Sequence, residues 1–64
     1  MKTRYYEVRT YELNNKLMNR LYAICENVRM MDAPNRYYIT KMYCTVRADR
    51  LAELDALLGV RNLH

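Results

Sequence analysis

The chain has 64 residues, 52% of them apolar, and 11 Lys and Arg against 7 Asp and Glu leave a formal net charge of +4. That length allows one domain, spanning residues 1–64, and the apolar share excludes a disordered tail. The sequence contains no Ser and its one His is the terminal His64, so neither a Ser-His-acid triad nor a Cys-His pair can be drawn within the body of a fold.

Thr3 to Leu13 reads as a first strand. Tyr6, Val8 and Thr10 fall on one face; Tyr5, Glu7, Arg9 and Tyr11 fall on the other. Asn14 and Asn15 can then offer a side-chain oxygen to the free amides of a helix start. Leu13, with Met18 after it, has the spacing of a hydrophobic staple. Leu17, Leu21, Ile24 and Val28 repeat at helical spacing, with Met18, Tyr22 and Cys25 alongside, while Lys16, Asn19, Arg20, Glu26 and Asn27 take the far side. This helix either runs on to Met31 or stops near Asn27, whose side chain tolerates the left-handed backbone common at helix ends. The second option is preferred, and it makes Val28–Met31 a short strand. Asp32, Ala33, Pro34 and Asn35 then form a turn.

Arg36 to Arg47 is rich in aromatic and β-branched residues and holds neither Gly nor Pro, so it is expected to be a long strand. Tyr38, Thr40, Met42, Cys44 and Val46 would pack beneath helices. Tyr37, Ile39, Lys41, Tyr43, Thr45 and Arg47 would face outward. Asp49 is placed to cap a second helix, Arg50 to Leu58, whose apolar stripe is Leu51, Leu54, Leu57 and Leu58. Gly59 suits a left-handed position past its end, with Val60 folding back on it. Val60 to Leu63 would be a short last strand. Cys25 and Cys44 are expected to be small buried hydrophobes in a reducing compartment, and a bridge between them stays open.

The order is strand, helix, strand, strand, helix, short strand. This is the ferredoxin-like split βαβ plan of an α+β protein, with both helices on one face of an antiparallel-mixed sheet; the alternative is β-α-β-α. Placing the first and third strands side by side gathers Tyr5, Arg9, Tyr11, Tyr37, Lys41, Tyr43 and Arg47 on the uncovered face, and these are the candidate binding residues. Tyr and Arg anchor protein interfaces. The same residues can stack bases and hold phosphates on an open sheet, but Glu7 on that face opposes phosphate.

Two families share parts of this pattern. Arg4-Tyr5-Tyr6-Glu7-Val8, and Tyr37-Tyr38 leading through Val46 to Asp49-Arg50-Leu51 and Leu54, resemble the first strand and the third strand plus second helix of small-subunit ribosomal protein six. That likeness implies a ferredoxin-like, non-enzymatic RNA- and protein-binding subunit. It covers about half the chain, and the family's long central hairpin is here only a few residues. Tyr6-Glu7-Val8-Arg9-Thr10-Tyr11 is similar to the opening strand of NIPSNAP-type dimeric α/β barrels, which implies a small dimeric enzyme.

The scattered carboxylates Glu7, Glu12, Glu26, Asp32, Asp49, Glu53 and Asp55, and two Cys without a nearby His, suggest no catalytic or metal centre. Gly59 alone cannot build a phosphate loop. No cofactor is expected. No apolar run approaches the ~20 residues a bilayer crossing needs, and no leader pattern is visible, so the expected setting is cytoplasmic. The functional expectation is a small non-enzymatic protein that occupies the surface of a larger, nucleic-acid-handling complex. It would act as a phage-type inhibitor such as an anti-CRISPR, or as a small subunit. The alternatives are an RNA-binding ribonucleoprotein subunit and a small dimeric enzyme. A homodimer is compatible with each.

Overall fold

The structure is a computed structural model and describes residues 1–31 and 38–63. Strand β1 (Lys2–Arg9) leads to helix α1 (Asn15–Ile24), strand β2 (Asn27–Met31), strand β3 (Ile39–Val46) and helix α2 (Leu51–Leu58). The three strands form one sheet in the order β1-β3-β2, and both neighbouring pairs are antiparallel. The described sheet is therefore not mixed, and β2 removes the β-α-β-α alternative. The expected turn at 32–35, and the start of the long strand at Arg36 and Tyr37, lie outside the described residues.

Alternation along the strands builds the core. Tyr6 and Val8 of β1, and Thr40, Met42, Cys44 and Val46 of β3, are buried on one face of the sheet. They meet Leu17 and Leu21 of α1 and Leu54, Leu57 and Leu58 of α2, so both helices share that face. Leu21, Met42, Leu54 and Leu58 are fully enclosed, and burying such a side chain stabilises by about 1.5–3 kcal/mol. Val28 and Met30 of β2 are half-buried against the same core. Tyr6 adds a polar tie, its hydroxyl donating to Asp55 Oδ1 on α2.

Helix α1 starts as expected. Asn14 Oδ1 accepts from Leu17 N–H at 2.9 Å, and Leu13 and Met18 both pack against the core. Its end differs: Cys25, in extended backbone (φ −95°, ψ 143°), stops the helix, and Asn27 already belongs to β2. Arg50 then ties the two helices, with Nη1 donating to Ala23 O and Nη2 paired to Glu53.

Several terminal expectations are corrected. Strand β1 ends at Arg9, and Thr10 makes the last bonds across to the β3 side, its N–H and its hydroxyl each donating to Tyr38 O at 2.8 Å. Leu13 N–H then closes on Thr10 O, so residues Thr10–Glu12 form a 3₁₀ turn rather than more strand. Tyr38 is not under the helices. It has φ 54° and is 73% exposed, in the left-handed region that costs a non-glycine residue about 1–2 kcal/mol. Asp49 does not cap α2; it sits in a 3₁₀ turn (Ala48–Arg50) and pairs with Arg47.

Gly59 is right-handed (φ −59°, ψ −38°), and Val60 is exposed rather than folded back. The chain continues in a 3₁₀ turn, Gly59–Arg61, in place of the expected last strand. Arg61 Nη1 satisfies Leu57 O and holds that turn. Only a remnant of edge pairing follows, where Leu63 N–H donates to Glu7 O and Asn62 Oδ1 accepts from Glu7 N–H.

Candidate interaction surface

The face away from the helices is organised in cross-strand rows. Since directly opposed residues of antiparallel strands share a face, the register sets Thr3, Thr45 and Asn27 in one row and Tyr5, Tyr43 and Arg29 in the next. Glu7, Lys41 and Met31 follow, and Arg9 with Ile39 closes the face. The rings of Tyr5 and Tyr43 lie 4.9 Å apart, tilted by 46°, within the range of favourable aromatic pairs. Thr3 and Thr45 hydroxyls are 3.2 Å apart in the row beside them.

The polar groups are unevenly balanced. Among the described residues, Arg9, Arg29 and Lys41 share the face with one carboxylate, Glu7. The Tyr5 phenol has its pKa raised, first by burial and then by the neighbouring Glu7 carboxylate. The ion pairs among the described residues are Arg47–Asp49 and Arg50–Glu53. Neither Arg29 nor Lys41 is neutralised by them.

Of the residues expected to form the site, Tyr5, Arg9, Lys41 and Tyr43 are brought together on this face. Tyr37 lies outside the described residues. Tyr11 leaves the strand register with the 3₁₀ turn, is 78% exposed, and stands at the end of the face. There it lines a cavity of about 470 Å³ with Arg9, Thr10 and Tyr38. Arg47 follows the last residue of β3, and its guanidinium is held by Asp49 at 2.9 Å.

Three members were missed. Arg29 and Met31 reach the face through β2, and Tyr38 through its left-handed turn. The residues of β2 do not choose a face for the first two, and nothing in the residue type of Tyr38 announces its conformation. Among the described residues no group of three His, Cys, Asp or Glu is placed to hold a metal ion. No described helix is long and apolar enough to cross a membrane.

No protein-family model matches the chain, and no curated protein or solved structure matches it. The geometry of this face is what bears on function.

Proposed function

We propose that this is a non-enzymatic binding protein that lays its uncovered sheet face against a carboxylate-bearing patch of a larger protein. The observation that carries this reading is the closed Tyr5–Tyr43 pair with Arg29 and Lys41 beside it. Tyr and Arg are the side chains that dominate interface energetics, because they join large contact area to a polar tip. Base stacking asks for rings with a free face. Here the two rings are turned on each other and keep only 38% and 40% of their surface. Glu7 within the same rows repels phosphate and tolerates a protein partner.

Scale supports an extended footprint. Strands about 4.8 Å apart, rising about 3.3 Å per residue over eight, eight and five residues, give a face of roughly 330 Å² in projection. A stable interface takes about 800 Å² from each partner. Side-chain relief adds to the face, and Tyr11 and Tyr38 lengthen it at one end. We further read the strand order, with β3 between β1 and β2, as a ferredoxin-like unit whose fourth strand is reduced to the Leu63–Glu7 bond. The partner class, a nucleic-acid-handling complex, and the cytoplasmic setting rest on chain size, basic charge and the two free thiols.

The test compares capture from a lysate of the source cells by the wild-type chain, Tyr43→Ala, Lys41→Glu and the helix-face control Ala52→Glu, with and without nuclease. A purified captured protein is then titrated. Expected is a nuclease-resistant partner bound by wild type and Ala52→Glu, with affinity reduced about 30-fold or more by Tyr43→Ala, an anchor-sized loss. Capture indifferent to both face substitutions overturns the reading. So does capture abolished by nuclease, with affinity falling steeply in salt.

A further inference from the structure

The helix-covered face holds a second chemical feature, independent of the docking surface. Cys25 is where α1 ends: its N–H still donates to Leu21 O, while its own backbone is extended. One residue later Glu26 N–H donates to Thr45 O at 2.9 Å, which pins the chain to β3 next to Cys44. Cys44 points under the helices and is fully enclosed, whereas Cys25 is half-buried at the margin of the same core. The two thiols are near enough for each to shift the other's proton affinity. That neighbourhood favours the thiolate on Cys25 and disfavours it on Cys44.

We propose that Cys25 and Cys44 are a site of oxidative modification, which forms an intramolecular disulfide by exchange with a small-molecule disulfide of the glutathione type. Cys25 attacks first. It is the accessible thiol, and its thiolate is favoured by its Cys44 neighbour and by the Arg50 guanidinium, which Ala23 O holds at the end of α1. Its thiolate displaces one sulfur of the small disulfide, giving a Cys25 mixed disulfide. The departing thiolate takes up the proton Cys25 gave. Cys44 then loses its proton and attacks Cys25 Sγ; the Cys25–Cys44 bond forms as the second small thiolate leaves with that proton. One protein dithiol and one small disulfide become one protein disulfide and two small thiols, with two electrons passed to the small molecule. Burial sets the pace, holding the Cys25 thiol above its ordinary range and pushing Cys44 up to about 12, so the thiolates are scarce near neutrality.

The bridge would close a loop that contains all of β2, the strand that carries Arg29 and Met31 to the uncovered face. Cross-linking a loop of this length restricts the unfolded chain, and small domains gain most from such staples.

The reduced full-length chain, incubated in glutathione buffers of graded oxidised-to-reduced ratio, is followed by intact mass, thiol count and thermal melting. Expected is a monomer lighter by two hydrogens, a Cys25–Cys44 linked peptide, and a thermal midpoint higher by about 10 °C. Cys44→Ala should stop at a stable glutathione adduct on Cys25, and Cys25→Ala should leave Cys44 unreacted. Alkylation early in the wild-type time course should trap the Cys25 adduct, a readout that needs no variant. Disulfide-linked dimers in place of the intramolecular bond, adducts first on Cys44, or two free thiols in the most oxidising buffer overturn the proposal.

Discussion

Replacing Tyr5 and Tyr43 with alanine, one at a time and together, asks whether the uncovered face is an organised surface. The register sets the two residues directly opposite. Thr10 N–H donates to Tyr38 O, so hydrogen-bonded pairs fall on the even residues of β1, and Tyr5–Tyr43 is the closely spaced kind. Tyr43 keeps 40% of its surface open. Of the ~200 Å² a tyrosine can bury, roughly 120 Å² is then covered. At about 25 cal/mol per Å² that is roughly 3 kcal/mol before subtracting what alanine retains. Each single substitution should therefore cost about 2 kcal/mol. The pair's own contribution, about 0.5–1.5 kcal/mol beyond area, appears as non-additivity: the double variant loses less than the two singles together. Urea unfolding of the four chains in reductant, followed by far-UV circular dichroism, gives all the terms. In a domain this small 1 kcal/mol moves Tm by about 4–8 °C, so melting provides a second reading. Additivity within about 0.3 kcal/mol would refute the ring contact, and with it the closed aromatic pair on which the docking surface depends.

Gly59→Ala should stabilise by about 0.5–1 kcal/mol, seen as a higher urea midpoint, because Gly59 is right-handed and an added Cβ meets Asp55 Cβ at 3.9 Å; a lower midpoint would mean a left-handed Gly59. Tyr6→Phe should cost about 1 kcal/mol at neutral pH by removing the hydroxyl donated to Asp55. The folded phenol is raised by burial and then by Asp55, so its contribution is intact below the unfolded pKa of about 10 and is lost as pH climbs past it. The gap between wild type and Tyr6→Phe, measured in reductant, should accordingly narrow above about pH 10, and a gap that widens there contradicts the sign.

The middle of each element was legible because one face of it is apolar. In β3, Thr40, Met42, Cys44 and Val46 are buried while Lys41 and Tyr43 are exposed, and period-two alternation leaves no other face for the helices. Asn14 was legible as a cap because its oxygen reaches a backbone amide three residues on, a purely local geometry. The ends were not legible, since their partners are remote in sequence. The turn after Arg9 is anchored where Thr10 bonds Tyr38 O, 28 residues away. Gly59 stays right-handed because the chain winds on into the 3₁₀ turn, where Asn62 N–H closes on Gly59 O and Arg61 reaches back to Leu57 O.

The same distinction explains the candidate site. Parity within a strand follows from its own residues, but the phase between strands does not. β1 and β3 are long enough for burial to decide which side carries Tyr5, Arg9, Lys41 and Tyr43. In β2, Val28, Met30 and Met31 are all apolar, so its pattern permits either side and Arg29 could not be assigned. The Glu26 N–H to Thr45 O bond and the Asn27–Thr45 pairing settle the phase. A slip of one residue would exchange every side chain between faces. It would place Arg29 beneath the helices beside Met42 and Cys44, where an unpaired guanidinium is costly. That penalty ties the cation on the uncovered face to the integrity of the core behind it: Arg29 can stand beside Tyr43 only while Val28 and Met30 stay under the helices.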